Sequence, residues 1–573
     1  MAQTSRPGRR PASKAPAKKA TAAKKAAATK TPNKSALPIS EDLEIIPVPP
    51  EVVAEITHTQ RQRVPKWVSP TIVVLLLLIA SGQLLRLGRQ EFGGPPHMGV
   101  NLGNGIPGTL YLPGPELKRD DIFPEPKPVG DRPALVIMAH GYSSDQQGLS
   151  TMARSVARSG YATLTFDFRG HGGNRNRFQG NIDQDISTVL DWAQTSPYVD
   201  PKRIAVLGHS MGAGAALDWS TLDKRVAAVI PVSGGDAPND VYTPPNALFL
   251  IASGDDSYTH DAQEAAADLL RARPGTNVQA VEISGTDHLS VVSDGRTFEA
   301  ITNFLDDAFG APTDRLSTGR DDPRRATALR YALVVVVLFG FLGRLAGRSV
   351  KPLATGTKPG SWLLLAGASL FTLPLLATGG FWILPIGAGQ QVAVASLFAA
   401  AVLWSVRYFA RSGALTGPAA EWIGEGLWMP FRSVAVPGIL TGLAMFVMLA
   451  PAGVIIHATV PNFERTIYWA ILAAAMVPFF AAFEAIVRRG NTWQSLGLGV
   501  LGRLLVLAVM VIGLNIGALP GVLFLVLPVL AIQYLVLEVF AAAAWSTGRN
   551  TALIAIAESI FVAWIAVMFS PIG

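Results

Sequence analysis

The chain has 573 residues, 49% of them hydrophobic, and a mean hydropathy of +0.33, which excludes one soluble domain. Its 48 Lys/Arg against 41 Asp/Glu leave a formal net charge of +7. With no cysteine, disulfides, thiolate catalysis and cysteine-linked lipid anchoring are all excluded.

Charge sorts by region. Residues 1–94 carry 15 Lys/Arg and 6 Asp/Glu, residues 95–310 carry 16 and 26, and residues 326–573 carry 13 and 6. The basic balance therefore belongs to the two ends, and the middle is acidic. Residues 1–40 are rich in Ala, Lys, Pro and Thr, with ten Lys/Arg and no acid before Glu41. Such composition cannot bury a core, so residues 1–66 are expected to be a disordered basic cytoplasmic tail lying on anionic headgroups. No aromatics are interleaved to stack on bases, so no specific nucleic-acid binding is expected.

Trp67–Leu85 is an apolar segment of nineteen residues, just long enough to span a bilayer. Some sixty residues precede it, so it reads as an uncleaved anchor rather than a signal peptide. Residues 95–310 then alternate strand-like and helix-like stretches. Ala134–Ala139 is an apolar run leading into His140-Gly141-Tyr142. Ala162–Phe166 leads into Asp167-Phe168-Arg169-Gly170-His171-Gly172. Ile204–Leu207 leads into Gly208-His209-Ser210-Met211-Gly212, and a small-residue helix pattern follows.

Strand, G-x-S-x-G, helix is the setting in which a serine is lifted onto a sharp turn as a nucleophile. Such a serine needs a base, and the base needs an orienting acid. Ala247–Ala252 ends in Ser253-Gly254-Asp255-Asp256, and Val278–Ile283 ends in Ser284-Gly285-Thr286-Asp287-His288. Acid and imidazole each follow the C-terminal end of a strand, where open α/β sheets place their sites. Ser210 is thus the nucleophile candidate and His288 the base. Asp256 is the favoured acid and Asp255 the alternative, because the register of the turn is open. The Met211 and Tyr142 N–H groups are the oxyanion candidates. His140, at the earlier strand end, reads as a loop-shaping residue.

These pieces resemble the α/β-hydrolase superfamily, above all dienelactone-hydrolase-like and serine-aminopeptidase-like members, over roughly residues 105–310. The resemblance implies a mostly parallel sheet flanked by helices, a Ser-His-Asp hydrolase of esters, thioesters or amides, and a site-shaping role for the D-x-R-G-H-G loop. His171 is structural on that reading. Many relatives have one more residue between glycine and acid than Gly254-Asp255-Asp256 has. Only about a dozen residues, Gly234–Asn246, stand where such domains insert a lid, which suggests an open site.

A linker at 311–326 leads to an almost continuously apolar region, 327–573, expected to be an all-α polytopic domain. Eight spans are expected near 327–343, 361–379, 390–406, 434–456, 467–487, 504–518, 520–543 and 551–570. On that count eleven Lys/Arg fall in cytoplasmic loops, and Arg465 alone falls outside. This puts the N-terminus inside and the middle domain outside, in the plasma membrane of a bacterium. The basic cluster around Arg324 and Arg330 departs from the pattern beside a large translocated domain.

Ionisable groups inside a span are functional suspects. Glu484 lies four residues before Arg488 and pairs with it on a helix. Glu538 and Glu558 lie deeper, with Arg503 as a possible partner. Two readings stay open for them: a polar contact stitching helices, or a polar cavity for a lipid headgroup, proton or donor molecule. No ligand spacing for a metal and no nucleotide fingerprint occurs, so no cofactor is expected. The expected function is a membrane-bound serine hydrolase acting on a lipid or envelope acyl substrate, with the bilayer as its partner. A serine peptidase is the alternative within enzymes. A membrane transport or assembly protein with a ligand-recognising domain is the alternative outside them.

Overall fold

The computed structural model describes residues 68–114, 132–180, 182–234, 246–253, 277–312, 322–353, 357–377, 384–423, 431–453, 460–519 and 523–573. The basic tail, both acid candidates Asp255 and Asp256, and most of the short segment after Ser233 lie outside these residues.

Helix α1, Val68–Phe92, carries the expected anchor and runs beyond it. It delivers the chain to a sheet of eight strands: β1 His97–Asn101, β2 Pro107–Tyr111, β3 Leu135–Ala139, β4 Ala162–Phe166, β5 Ile204–His209, β6 Ala228–Val232, β7 Asn246–Ala252 and β8 Asn277–Ile283. Their spatial order is β1-β2-β4-β3-β5-β6-β7-β8. The β1/β2 and β2/β4 pairs are antiparallel, and every pairing from β4 across to β8 is parallel.

Strand β3 shows why continuous apolar runs become central strands. Successive side chains point to opposite faces. Leu135, Ile137 and Ala139 enter one core, while Val136 and Met138 enter the other. A sheet covered on both faces needs both sets apolar. The covering helices are α2 Ser150–Arg158, α3 Asp183–Thr195, α4 Met211–Leu222 and α5 Gly295–Phe309.

Among the described residues nine further helices follow: α6 Pro323–Arg348, α7 Ser361–Ala377, α8 Gly387–Arg411, α9 Pro418–Ile423, α10 Phe431–Leu449, α11 Phe463–Val487, α12 Thr492–Asn515, α13 Leu523–Gly548 and α14 Thr551–Met568. Among the described residues eight helices, counting α1, are long and apolar enough to cross a membrane, and α7 is a shorter apolar helix. Helix α14 is the most enclosed of them, with 94% of its apolar window buried. Glycines set the closest approaches. A Cβ on Gly343 or Gly347 of α6 would lie 2.4 Å from a carbonyl of α13, at Phe540 or Ala544. Small residues let helix backbones meet where lipid supplies no hydrophobic drive.

The points where the chain enters and leaves the sheet half are tied together. Arg324 donates to Glu91 at 2.7 Å and to Asp322 at 2.6 Å, and Arg154 donates to the carbonyls of Gln90, Glu91 and Gly93. Arg324 is buried. It holds the junction between α1 and α6.

Candidate active site

Ser210 stands between β5 and α4 at φ 54° and ψ −116°, a strained conformation for a side chain with a Cβ. Its N–H donates to the Val232 carbonyl of β6 at 3.0 Å, and its own carbonyl accepts from Ala213 and Gly214. The flanking glycines have a steric cause. A Cβ on Gly208 would sit 1.9 Å from the Gly212 carbonyl oxygen, and one on Gly212 would sit 2.3 Å from that of Ala139. The elbow therefore closes only over glycine, and Met211 opens helix α4 immediately after the serine.

The loop after β3 passes directly over this turn. A Cβ on Gly141 would lie 3.3 Å from the Ser210 Cβ and 3.2 Å from His209 Nδ1. Tyr142, the second oxyanion candidate, follows at once. His140 does not face the reaction space. Its Nε2 accepts the Phe168 N–H at 3.1 Å, and its Nδ1 donates to the Gly141 carbonyl at 2.8 Å. Burial pushes its pKa well below the usual histidine value, so it is neutral, as these two bonds require.

His288 is buried in the turn after β8. The link between it and the elbow is a residue that sequence reasoning passed over. His209, the variable residue before the nucleophile, donates from Nε2 to the His288 carbonyl at 2.8 Å, and the two rings lie 4.9 Å apart. Nothing in the pentapeptide pattern signals that role. Asp287, next to His288, is occupied: its carboxylate accepts the N–H groups of Leu289 and Ser290. Ser253 ties the ends of β7 and β8, donating its N–H to Ile283 and accepting the Gly285 N–H on Oγ at 2.5 Å. Asp255 and Asp256 follow two and three residues later in the sequence.

The D-x-R-G-H-G loop is the densest polar element of the site. Asp167 accepts from the Gln146 N–H and side-chain amide and from the Gly173 N–H, at 2.8–2.9 Å. A Cβ on Gly172 would lie 2.4 Å from its carboxyl carbon. The two ring nitrogens of His171 face the Tyr142 carbonyl at 2.7 Å and the Arg169 carbonyl at 2.9 Å. Burial holds its pKa down at about 4, so near neutrality the ring is uncharged and donates to one of the two.

Arg465, the lone basic residue expected in external loops, reaches this loop. Buried in the first turn of α11, it donates to the Gly170 carbonyl at 2.7 Å and to the carbonyls of Val567 and Ser570 at the end of α14. The last residues join it. Ile572 donates to Gly170 at 2.8 Å and accepts from Phe178 at 2.6 Å. The signal for Arg465 was present in the sequence as an exception to the charge pattern. The role of the terminus was not.

Glu538 and Glu558 lie apart from this site, among the long apolar helices. Arg503 joins them, donating to Glu538 at 3.0 Å and to Glu558 at 2.5 Å. Arg488 pairs with Glu484 as expected at four-residue spacing, and also with Glu538. All five side chains are buried. The set is more connected than the single Glu484–Arg488 pair suggested. Among the described residues no group of His, Cys, Asp or Glu is arranged to hold a metal ion.

Residues 130–282 match the family model described as serine aminopeptidase, S33. An uncharacterized 31.7 kDa protein of Escherichia coli, from the traX-finO intergenic region, is 33% identical over 101 residues, covering 17% of this chain and 35% of that protein. The quorum-quenching protein AidA of Acinetobacter baumannii is 29% identical over 126 residues, covering 20% and 41%. A solved esterase of Pyrobaculum calidifontis aligns over 41% of this chain and 92% of its own, at 16% identity and TM-score 0.31. The chain spans about a third of the length of the curated relatives it matches. On its strand order, its elbow and the matched segment, the part of the chain from β1 to α5 has an α/β-hydrolase fold.

Proposed function

We propose that the protein is a membrane-bound serine hydrolase that cleaves an acyl ester of a lipid or other envelope component. The observation that carries this is Ser210 at φ 54° on a strand-to-helix turn that only glycine neighbours permit. Ser210 Oγ attacks the acyl carbon while His288 takes its proton. The oxyanion forms against the N–H groups of Met211 and Tyr142. His288 returns the proton to the leaving alcohol, and water, deprotonated by the same imidazole, releases the acid. Asp256, or Asp255, orients the ring. The fastening of Ser253 to Gly285 supports an acid close to the base.

The lipid assignment rests on location. The loop that shapes the site bonds to Arg465 of an apolar helix long enough to span. Contact between Gly170 and Ile572 supports an even number of crossings between the hydrolase half and the end of α14. Together with the loop charges, this favours the hydrolase on the external face. The family model's description keeps a peptidase as the second reading.

Turnover of a soluble aryl ester tests the assignment. His288→Gln is expected to lower kcat by about 10³-fold or more with KM nearly unchanged. Of Asp255→Asn and Asp256→Asn, one is expected to act like His288→Gln and the other to stay near wild type. An anilide cleaved faster than the ester would favour the peptidase. Equal activity in His288→Gln would remove the triad. An untargeted lipid comparison of wild-type and Ser210→Ala cells then names the substrate.

A further inference from the structure

Beyond the Arg324 junction, two parts of this chain with unrelated architectures meet at the loop after β4. Gly170, in the turn after β4, is bonded three times from outside its own neighbourhood or across it. Its carbonyl accepts from Arg465 Nη2 at 2.7 Å and from the Ile572 N–H at 2.8 Å, and its N–H donates to Asn176 at 2.5 Å. Gly170 has φ +75°, and a Cβ there would lie 2.5 Å from the Ile572 carbonyl oxygen, so the terminal segment lies against its backbone. The terminal segment is itself fixed. Ile572 forms an isolated antiparallel bridge with Ile386 at the start of α8, and Gly573 donates to the Pro385 carbonyl.

From Gly170 the contacts run to the reaction space in two short steps. His171 bonds the Tyr142 carbonyl, and the Phe178 ring, in the residue that bonds Ile572, stands edge-on to Tyr142 at 5.7 Å. Tyr142 is also touched from the membrane side: a Cβ on Gly387 would lie 3.1 Å from its hydroxyl and 2.9 Å from Pro571. The residue proposed to donate an oxyanion N–H is therefore clasped between the hydrolase loop and the ends of α8 and α14.

We infer that Arg465 and the terminal segment Ser570–Gly573 are positioning elements of the active site, so that the membrane half completes the oxyanion loop of the hydrolase half. The inference rests on the serine-hydrolase reading above. Neither element touches a reacting atom. They act by fixing Gly170 and His171, and through them Tyr142, whose carbonyl His171 bonds one peptide plane beyond the N–H. The buried Arg465 guanidinium bonds three carbonyls through its two Nη groups, and holding all three at once requires α11, α14 and the 170-loop to be in register together. A shift of the membrane helices at this end would move the loop with them.

The test uses the full-length protein in detergent or proteoliposomes. Arg465→Ala, Arg465→Lys and Ile572→Pro are compared with wild type. Ile572→Pro removes the N–H that Gly170 accepts, together with the buried Ile572 side chain, and leaves every charge in place. Two quantities are read for folded protein: the rate at which a fluorophosphonate modifies Ser210, and kcat and KM for p-nitrophenyl butyrate. Misplacing an oxyanion donor acts in the transition state, so kcat and the labelling rate are expected to fall on the order of 10- to 100-fold with KM little changed. Arg465→Lys, which keeps the charge but not the three-way geometry, should fall between Arg465→Ala and wild type.

If wild type reacts and both Arg465→Ala and Ile572→Pro react at its rate while folded, the inference is overturned and the hydrolase reading stands. A smaller number of reactive molecules at an unchanged rate per molecule would mean lost folding rather than positioning, and overturns it equally. Failure of the wild-type chain itself to react removes the hydrolase reading, and the inference with it. If Arg465→Ala does not fold, Arg465→Lys and Ile572→Pro decide the matter.

Discussion

Single atoms decide the catalytic turn. The 1.9 Å gap between a Cβ on Gly208 and the Gly212 oxygen leaves no room for even a methyl group. Gly208→Ala is therefore expected to abolish labelling of Ser210 or prevent folding. Gly214→Ala, which meets nothing within 4 Å on α4, should keep activity and gain up to about 1 kcal/mol from helix propensity. Thermal unfolding and labelling of the two variants check this, and equal damage from both would contradict the steric account. His171 makes a second prediction at this scale. Its folded pKa of about 4 lies below the unfolded value near 6.5, so the unfolded state binds the proton first as pH falls. Stability from this residue is present above pH 6.5 and is lost between there and about pH 4, at roughly 3 kcal/mol for the full shift. His171→Asn should flatten the acid side of the stability curve. His140, also depressed by burial, should keep part of that slope. A curve of unchanged steepness would contradict the assignment.

Elements differ in how much of themselves they print in the sequence. The central strands β3, β5 and β7 were legible within a residue or two, because a strand buried on both faces must be apolar throughout. Strands β1 and β2 were not. His97-Met98-Gly99-Val100-Asn101 carries two polar residues and a glycine on the edge of the sheet, where neither periodicity nor composition marks a strand. Of the nine expected spans, eight were legible and match helices long and apolar enough to cross a membrane, α1 among them, because such a helix must be apolar along its length; the ninth, near 361–379, is the shorter apolar helix α7. Their ends were less so: α12 begins at Thr492 rather than near residue 504, because an Asn491 capping box starts it outside the apolar run. The pairing of helices was illegible, because it depends on which glycines face which carbonyls. The charge cluster shows the same limit. Glu538 was a suspect by depth, with Arg503 as its expected partner, whereas its second partner, Arg488, was assigned to Glu484 alone. Gly499 lies so close to it that a Cβ would be 2.3 Å from a Glu538 carboxylate oxygen. Glu538→Ala leaves two buried guanidiniums short of a partner and is expected to cost about 3–5 kcal/mol. Denaturation of the detergent-solubilised protein measures it. A loss below 1 kcal/mol would mean that the cluster is not what joins these helices.

The whole molecule couples a familiar catalytic fold to a helical bundle through few, specific contacts. Arg324 with Glu91 and Asp322 binds the entry and exit of the hydrolase half, and Arg465 with Ile572 binds its site loop. The fold of the hydrolase half was readable from motifs at strand ends. Its contacts with the helical half were not, because an Ile-Gly pair and one arginine carry no motif. The account stands on Ser210 being a reactive nucleophile in the intact chain. The most direct measurement is fluorophosphonate labelling of the full-length protein, with the adduct located by mass spectrometry of its peptides. The account predicts one adduct, on Ser210, absent from Ser210→Ala and strongly slowed in His288→Gln. Folded wild-type protein that takes no adduct, or Ser210→Ala that takes it equally, would contradict it.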